Sequence, residues 1–566
     1  MATGQSTIDA GATPMAVPAQ AGDNHKQPGK RPFNGGHQRK GAKHRRKQKT
    51  FQDGSHEEVL MADIQAMLDS QKIVDDVEGG ASAEEEETPL PRKGTEIELE
   101  VVELSSTGDG LAKQKGSDHI YVVPFSIPGD TVKAKVYRHN FEEGYTAADF
   151  ISVVKPSALR DDSRIQCGYF AKCSGCQFQM LDYTEQLKLK RNIVVKAYKN
   201  FSRLSPELVP DVLDTIGSPL QYGYRTKLTP HFDAPPGNKR RGPKNAHTFM
   251  PAVGFTPKST RQVLDIEDCP IATDAVRKGL TDERARMAVE YGNYVKGATI
   301  LLREDTKRIV KASPSDAIET PEGVPENAVR VDADTHVDFK TCITDQNATS
   351  TEYIDNFQFT NPAGAFFQNN NSILSPFTAY IREHILPPSS LASTASKPPI
   401  KYLIDAYSGS GLFTITQYSL FPGGSIGIDI AEKSIAYARR NATLNGLDES
   451  QCRFLAADAP ELFKSVSAYN PDETVVVLDP PRKGCDTSFL RQLLEFAPRR
   501  VVYVSCNVHT QARDVGVLVR GQQTGGEQKE KKKRTRYEIE SIRGFDFFPQ
   551  TGHVEGVAVL NRVDEA

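Results

Sequence analysis

The sequence predicts an α/β protein with a doubly wound parallel sheet in its C-terminal part, preceded by a small β-barrel and a mixed α/β region. From residue 402 onward, apolar strand patterns alternate with helical patterns, and a Gly-rich turn follows the first strand, as in a parallel sheet with crossover helices. Residues 93–156 instead contain short alternating strands separated by turn signals. The 566 residues are enough for about three or four domains.

The composition excludes two classes of protein. No window approaches the roughly 18 consecutive apolar residues that a membrane helix needs, so we do not expect a membrane-spanning protein. The N-terminus lacks the apolar segment of a secretory signal, and we expect an intracellular protein, in the nucleus, the cytoplasm or both. Eight cysteines are too few for a disulfide scaffold in a chain of this length, so clustered cysteines indicate metal binding or catalysis.

Residues 1–92 are predicted to be a disordered tail, because they are rich in Gly, Pro, Gln, Ala and Ser and show little apolar periodicity. Between residues 25 and 50 the tail has ten Lys or Arg and no acid, and an acidic cluster follows at 84–87. A basic run of this kind suits nuclear import or contact with a phosphate backbone. A solvated tail without a specific partner is the alternative.

Residues 93–156 predict a small β-barrel, since several short strands fall within about 60 residues. The segment resembles a TRAM domain, an OB-like RNA-binding barrel, through STGDGLA at 106–112 and IPGD at 127–130. A purely structural β module is the alternative. The predicted strands are 97–104, 120–125 and 131–137.

A nucleotide-like ligand is predicted where the C-terminal sheet begins. The strand at 401–407 is followed by SGSG at 408–411, and a Gly-rich turn between a strand and a helix lets the backbone approach a ligand closely. Asp429 ends the next strand, 24 residues beyond Asp405, where an acid can accept hydrogen bonds from ribose hydroxyls. Taken alone, this pattern fits NAD or S-adenosylmethionine.

The next buried strand favours S-adenosylmethionine. Residues 474–478 lead into DPPRKG at 479–484, which resembles motif IV of Rossmann-like methyltransferases. Adjacent prolines stiffen such a loop because each fixes its φ angle, so a purely structural loop is the alternative. NAD enzymes give no reason for this element. Residues 356–566 are therefore predicted to form a Rossmann-like S-adenosylmethionine-dependent methyltransferase domain.

Two side chains near the same sheet edge are candidates for covalent chemistry. Cys506 follows the strand at 501–505, and Glu555 lies in a C-terminal strand at 551–560. A lone cysteine is more often a small buried hydrophobe, and a lone Glu on a strand usually faces solvent. The motifs that surround Cys506 and Glu555 decide whether these residues are interpreted as catalytic or as structural.

That context consists of four motifs, and together they resemble the RNA uracil-C5 methyltransferase family, most closely its fungal tRNA branch. The resemblance covers about residues 93–562. The motifs occur in the order GAFFQNN at 364–370, DPPRKG at 479–484, YVSCN at 503–507 and GHVE at 552–555.

The resemblance implies a role for each candidate residue. Uracil C5 is a poor nucleophile, and addition of a thiolate at C6 activates it before a base removes the C5 proton. Cys506 would be that nucleophile and Glu555 the proton acceptor. The residues implied to line the S-adenosylmethionine site are Gln368, Tyr407, Asp429 and Asp479.

The central α/β region, residues 157–355, carries a cysteine cluster. Three thiols are closely spaced and a fourth is distant, which suits tetrahedral zinc or an iron–sulfur cluster. The ribosomal-RNA branch of the family carries a [4Fe-4S] cluster on a matching pattern, so the resemblance implies such a cluster here, with a mainly structural role. The predicted ligands are Cys167, Cys173, Cys176 and Cys269.

The expected substrate is RNA, from which the target base is flipped out of its stack. Within the family, the low-complexity tail and polar insertions of this chain favour tRNA, with uridine 54 of the T-loop as the target. Ribosomal RNA is the alternative substrate. Two other functions stay open: a non-catalytic RNA-binding factor, and an amino-group methyltransferase, which would need no Cys nucleophile.

Overall fold

The computed structural model describes residues 51–77, 89–238, 244–258, 260–388, 398–521 and 535–563. All of them belong to one compact unit. The predicted basic run at 25–50 and the acidic cluster at 84–87 lie outside the described residues. No helix in the described ranges combines the length and the hydropathy that crossing a membrane requires.

The first described element is a helix, α1 (His56–Val77), inside the stretch predicted to be a disordered tail. That prediction is wrong for this segment. Ser55 begins the helix by accepting a hydrogen bond from the Glu58 N–H at 3.2 Å, and Glu58 accepts one in return from the Gly54 N–H at 2.6 Å. Ser followed three residues later by Glu is a helix-start signal, and the next apolar residues follow helical spacing.

The predicted small β-barrel is present as a closed barrel with strand order β1-β2-β3-β5-β4. Its first strand alternates buried and exposed residues, with Ile97, Leu99 and Val101 in the barrel core. This period-two pattern is the one expected for a closed sheet with a packed interior. The strands are β1 (Glu96–Leu104), β2 (Gly110–Lys113), β3 (Ile120–Val123), β4 (Thr131–Asn140) and β5 (Tyr145–Lys155).

The central region contains two helices and several small antiparallel sheets. Two of the sheets have four strands, in the orders β10-β9-β8-β11 and β13-β14-β12-β7, and β15 pairs with β16. The elements are α2 (Tyr183–Phe201), β6 (Leu213–Ile216), β7 (Lys227–Leu228), β8 (His231–Phe232), β9 (Gly254–Phe255), β10 (Leu264–Asp265), α3 (Asp274–Glu290), β11 (Ala298–Thr299), β12 (Leu302–Val310), β13 (Val329–Asp332), β14 (His336–Ile343), β15 (Thr349–Ile354) and β16 (Phe357–Pro362).

The C-terminal region forms the predicted doubly wound sheet. Its order is β19-β18-β17-β20-β21-β23-β22-β6, with parallel pairing from β19 to β21 and an antiparallel β23. The elements are α4 (Leu374–His384), β17 (Tyr402–Ala406), α5 (Leu412–Thr416), β18 (Ser425–Asp429), α6 (Glu432–Leu444), β19 (Cys452–Ala456), α7 (Ala459–Ser465), β20 (Thr474–Leu478), α8 (Thr487–Phe496), β21 (Arg500–Ser505), α9 (Val508–Arg520), β22 (Arg536–Phe545) and β23 (Glu555–Val563).

The direction of chain progression reverses beside β17. From β17 the chain moves outward through β18 and β19, then returns to place β20 on the other side of β17. Ligands of open α/β sheets bind at the carboxyl ends of the strands next to such a reversal. The topology therefore puts the ligand site where β17 and β20 end.

Two elements of the predicted central region complete the C-terminal sheet and its core. Strand β6 pairs in parallel with β22 at the sheet edge. Helix α2 contributes Ile193, Val194 and Ala197 to the apolar core that also contains residues of β20, β21 and α9. The predicted boundary at residue 356 therefore divides one packed structure, because side chains from both sides of it share a core.

A buried ion pair links α2 to the loop before β23. Lys190 pairs with Asp546, and both side chains are completely buried. The Lys190 ammonium also donates to the carbonyl oxygens of Phe548 and His553, both at 2.9 Å, and the Tyr183 hydroxyl donates to Asp546 at 3.0 Å. All three donor positions of the ammonium are used, so this loop is fixed from inside the molecule.

We expect Lys190→Met to lower the free energy of unfolding by about 3–5 kcal/mol, because it leaves the Asp546 carboxylate buried without its cation. The measurement is the unfolding midpoint in denaturant. Lys188→Met is the matched control, since Lys188 lies on the same helix and pairs with Glu185 in solvent. Equal midpoints for the two variants would contradict the prediction.

Candidate active site

One cavity of about 1200 Å³ opens at the carboxyl edge of the C-terminal sheet. It extends from the ends of the parallel strands to the cysteine-containing loops of the central region. The structure thus brings every predicted site residue to the same cavity, although their positions along the chain span nearly 400 residues. The residues are Cys167, Cys173, Cys176, Cys269, Gln368, Tyr407, Asp429, Asp479, Cys506 and Glu555.

At one end of the cavity, the Gly-rich turn and Asp429 form a compact unit. The Gly409 N–H donates to one Asp429 carboxylate oxygen at 3.0 Å, and the Ala431 N–H donates to the other at 2.8 Å. Gly411 has φ +93°, and a Cβ there would lie 2.9 Å from the Phe454 ring. The turn therefore requires glycine at this position, and it fixes the Asp429 carboxylate at the end of β18.

Tyr407 and Asp405 lie at the carboxyl end of β17, just before this turn. Tyr407 has φ +65°, an uncommon conformation for a bulky residue that is found most often at functional sites. Its ring packs against that of Phe489, with 5.2 Å between ring centroids. Asp405 is buried and accepts hydrogen bonds from the Thr414 N–H at 2.9 Å and hydroxyl at 2.6 Å. These bonds hold the start of α5 under the turn.

At the other end, three neighbouring strands place a thiol and two carboxyl groups together. Ser505 of β21 pairs with Gly556 of β23, so Cys506 and Glu555 are adjacent across the same ladder. Asp479 directly follows β20, which pairs with β21. Because all three residues stand where a strand begins or ends, their positions are fixed by the sheet and not by loop conformation.

Glu555 has the surroundings expected of a proton acceptor. Its side chain is 2% exposed, and its Oε1 oxygen has no hydrogen-bond partner in the protein. Burial raises the pKa of Glu555 well above its usual range, and the charge of Asp479 adds to this effect, while Arg482 opposes it. Buried polar atoms rarely lack partners, so this oxygen fits a site that is completed by a ligand.

Cys506 is half-buried, and its thiol is difficult to ionise. Burial raises the pKa of Cys506 to about 12, and the charges of Glu555 and Asp479 contribute further. Arg482 acts in the opposite direction, through its charge and through a hydrogen bond to the thiol. A thiolate is the nucleophilic form of cysteine, so its formation at this position depends on Arg482.

Arg482 is therefore a functional residue that the sequence analysis did not identify, although it lies within the DPPRKG motif. It follows Pro481 in the loop after β20 and lines the cavity. The sequence signal for Arg482 was its position after two adjacent prolines, which restrict the backbone conformation of the loop. The sequence could not show that this direction leads to Cys506.

The four clustered cysteines line the cavity, but the predicted metal site is not supported. Burial raises the pKa of Cys269 to about 12, and neighbouring thiols contribute, so the cysteines lie near one another. Within the described part of the chain, however, no group of three or more His, Cys, Asp or Glu residues is arranged to hold a metal ion. Spacing brings the thiols to one wall, whereas a ligand set also requires them to converge on one point.

The charges of Arg482, Glu555 and Asp479 predict how the pKa of Cys506 changes when Arg482 is replaced. We expect Arg482→Met to raise the pKa of Cys506 further, so that alkylation of Cys506 requires a higher pH. The measurement is the rate of Cys506 alkylation against pH, followed by mass spectrometry of the peptide that contains it. Lys483→Met removes a neighbouring charge that is not among the main influences on the pKa of Cys506, and a shift as large in this control would contradict the prediction.

Comparison with known proteins agrees with this geometry. The family model described as tRNA (uracil-5-)-methyltransferase matches residues 345–563. The tRNA (uracil(54)-C(5))-methyltransferase of Schizosaccharomyces pombe is 41% identical over 520 residues, covering 92% of this chain and 86% of that protein. The enzyme of the same name from Saccharomyces cerevisiae is 40% identical over 499 residues, covering 82% and 73%.

A solved structure shows the same fold. The crystal structure of the Pyrococcus abyssi tRNA (uracil-54, C5)-methyltransferase in complex with S-adenosyl-L-homocysteine matches with a TM-score of 0.54 and 23% identity. The match covers 82% of this chain and all of that one. The Rossmann-like methyltransferase fold is thereby confirmed, and the identity to the two yeast enzymes shows that this chain belongs to the tRNA (uracil-5-)-methyltransferase family.

Proposed function

We propose that this protein transfers a methyl group from S-adenosylmethionine to C5 of a uridine in tRNA, at position 54 of the T-loop. The observation that carries the proposal is the convergence of Cys506, Glu555 and Asp479 in one cavity, which Tyr407 and Asp429 also line. Methylation at C5 of uracil needs a nucleophile that adds to C6 and a base that removes the C5 proton, and this site has one of each. The names of the two yeast relatives support the choice of tRNA and of position 54.

The cofactor end of the cavity fits S-adenosylmethionine. The Gly-rich turn leaves its backbone close to the cavity, and the Asp429 carboxylate is fixed where ribose hydroxyls can donate to it. Tyr407 and Gln368 also line the cavity. When bound, the cofactor supplies a methyl group on a positively charged sulfur.

In the proposed reaction, the Cys506 thiolate adds to C6 of uracil, and the electron pair of the C5–C6 double bond moves to the C5 side as an enolate. C5 would then form a bond to the methyl group while the bond between that methyl group and the sulfonium sulfur breaks, and the electron pair of the broken bond would stay on sulfur. The Glu555 carboxylate removes the proton left on C5, the double bond forms again, and the bond between Cys506 and C6 breaks. The thiolate is regenerated, and Glu555 must lose its proton before the next cycle.

Arg482 would stabilise the thiolate before it adds and after it leaves. It is the cation whose charge and hydrogen bond lower the pKa of Cys506 against burial and two carboxyl groups. In a buried site such a contact is stronger than in water. We therefore include Arg482 among the catalytic groups.

The open side of the cavity suits a base that has left its stack. Phe366 lies in the GAFFQNN loop, lines the cavity and is 76% exposed. Exposed aromatic rings stack on unpaired RNA bases. We propose that the β1–β5 barrel acts as the TRAM-like RNA-binding module and that the basic run at 25–50 adds phosphate contacts, which would make affinity sensitive to salt.

The test is incubation of the purified protein with labelled S-adenosylmethionine and unmodified tRNA, followed by digestion to nucleosides. We expect label in 5-methyluridine with the wild-type protein and none with Cys506→Ala, because the adduct at C6 cannot form. A tRNA with cytidine at position 54 is the substrate control. Label in ribosomal RNA but not in tRNA would replace the substrate, and activity that survives in Cys506→Ala would exclude this mechanism.

Glu555→Gln separates the two halves of the reaction. We expect a covalent protein–RNA complex that carries the methyl group and persists, because the C5 proton is no longer removed, with turnover lowered by about 10²–10⁴-fold. Denaturing electrophoresis of labelled RNA measures the complex. Glu538→Gln, a surface change in β22, is the control. Normal release of product from Glu555→Gln would assign the base to another residue.

Turnover should also rise with pH. Cys506 and Glu555 must both lose a proton to act, and the pKa of each is raised in this site. A raised pKa moves the deprotonated form to higher pH, so the rate should increase through the neutral range and not level off near the usual range of a carboxyl group. The single-turnover rate at saturating tRNA, followed against pH, measures this. A rate that is flat from pH 5 upward would contradict it.

A further inference from the structure

Residues 51–77 form a segment that no part of the proposed reaction uses. We call it the strap; it consists of the turn at 51–55 and helix α1. It precedes the barrel in the chain and lies outside residues 345–563, which the family model matches. Its two ends contact different parts of the molecule.

The helical end of the strap is attached to the barrel. Leu60, Ile64 and Met67 are buried in a cluster with Leu111 and Ile120 of the barrel strands. Burial of three large apolar side chains stabilises this contact by several kcal/mol, at about 1.5–3 kcal/mol for each side chain. A hydrogen bond also orients the helix on the barrel, since Asp63 of the strap accepts from the Ser106 N–H at 2.6 Å.

The turn of the strap lies against the residues that follow Cys506. The Asn507 side-chain amide donates to the Gly54 carbonyl oxygen at 3.0 Å. Gly54 has φ +67°, and a Cβ there would lie 2.4 Å from Cγ2 of Thr510 and 2.5 Å from Nδ2 of Asn507. Only glycine fits between these two side chains.

The same side chains hold the loop that carries Arg482. The Asn507 amide also donates to the Arg482 carbonyl oxygen at 2.9 Å, and the Thr510 hydroxyl donates to the same oxygen at 3.0 Å. The side-chain amide of Asn507, the residue after Cys506, thus connects the strap to the DPPRKG loop.

An ion pair makes a second connection between the strap and this loop. Asp53 accepts a hydrogen bond from the Arg513 guanidinium at 2.7 Å. The other nitrogen atoms of Arg513 pair with Asp514 at 2.8 Å and donate to the Lys483 carbonyl oxygen at 2.9 Å. Asp53 therefore orients a side chain that supports the residue next to Arg482.

We propose that the strap is a positioning element for the active site: Gly54 and Asp53 hold the start of α9 and the DPPRKG loop together, so that Arg482 stays against Cys506. Through α1, the same segment fixes the barrel relative to this site. Asp53, Gly54, Asn507 and Arg513 are positioning residues, since none of them lines the cavity. The proposal rests on the proposed function for the reaction that the site performs, whereas its effect on the Cys506 thiol can be measured without RNA.

The first test is Gly54→Ala in the full chain. The added Cβ displaces Asn507 and Thr510, and with them the Arg482 backbone. We expect kcat to fall by about tenfold to hundredfold, the range that a displacement of about 1 Å produces, with a smaller change in KM. The pH at which Cys506 is alkylated should rise, as we also expect for Arg482→Met.

Gly446→Ala is the matched control. Gly446 has φ +71°, close to that of Gly54, but a Cβ there meets nothing within 4 Å. Both variants carry the same backbone strain, and only one carries the steric conflict. Equal effects of the two substitutions on kcat and on the alkylation profile would overturn the proposal.

Two further variants keep the test valid if Gly54→Ala folds poorly. Thr510→Ser removes Cγ2, the nearest atom to the new Cβ, and keeps the hydroxyl, so Gly54→Ala/Thr510→Ser should recover part of the lost kcat. Asp53→Asn removes the charge that orients Arg513 and should shift the alkylation profile in the same direction as Gly54→Ala. Asp69→Asn, an exposed change on α1, is its control.

A double-mutant cycle decides whether the strap acts through Arg482. Side chains that act through one contact give non-additive effects, so Gly54→Ala should shift the alkylation profile of Arg482→Met very little. Full additivity would overturn the proposed route. If no RNA is methylated but the alkylation profile shifts as described, the proposed function fails and the positioning role stands. If methylation is unaffected in Gly54→Ala and Asp53→Asn, the positioning role fails and the proposed function stands.

Discussion

Arg482 lies beside the Cys506 thiol at a place where burial and two carboxyl groups oppose ionisation of that thiol. This contact is the constraint on which the rest of the site depends. Without a cation, the closeness of Glu555 and Asp479 would keep the thiol protonated. Without that closeness, the thiol and the carboxylate could not act on one uracil ring as the proposed reaction requires. The DPPRKG loop resolves this conflict because it begins with Asp479 and places Arg482 three residues later.

The parts of the molecule outside the C-terminal sheet serve this arrangement. Lys190 of α2 holds the loop that leads to Glu555, through Asp546 and two carbonyl oxygens. On the other side, the strap contacts Asn507, which follows Cys506. Glu555 and Cys506, the proposed base and nucleophile, are thus each supported by an element that lies hundreds of residues earlier in the chain. Such support restricts the two groups to one relative geometry, which is the condition for efficient covalent catalysis.

The cysteine cluster shows what the spacing of residues along the chain can and cannot predict about a metal site. The separation of the first three cysteines and the distant Cys269 predicted a shared site, and the four thiols do line one cavity wall. In the described residues they do not form a metal-ligand set. Spacing along the chain limits which thiols can approach one another, whereas the directions of the side chains decide whether they converge.

The sequence by itself determined the barrel and the strands of the doubly wound sheet, because period-two patterns and turn residues are local. The cofactor and catalytic residues that line the cavity came from the resemblance of four motifs to a known family, and not from periodicity or spacing. The sequence predicted a disordered segment where α1 forms, since a single amphipathic helix is a weak signal beside a low-complexity tail. Tertiary structure alone decided that Arg482 reaches Cys506, that α2 and β6 complete the sheet and that Gly54 closes against Asn507. Each of these contacts joins residues far apart in the chain, and only packing determines which distant side chains meet.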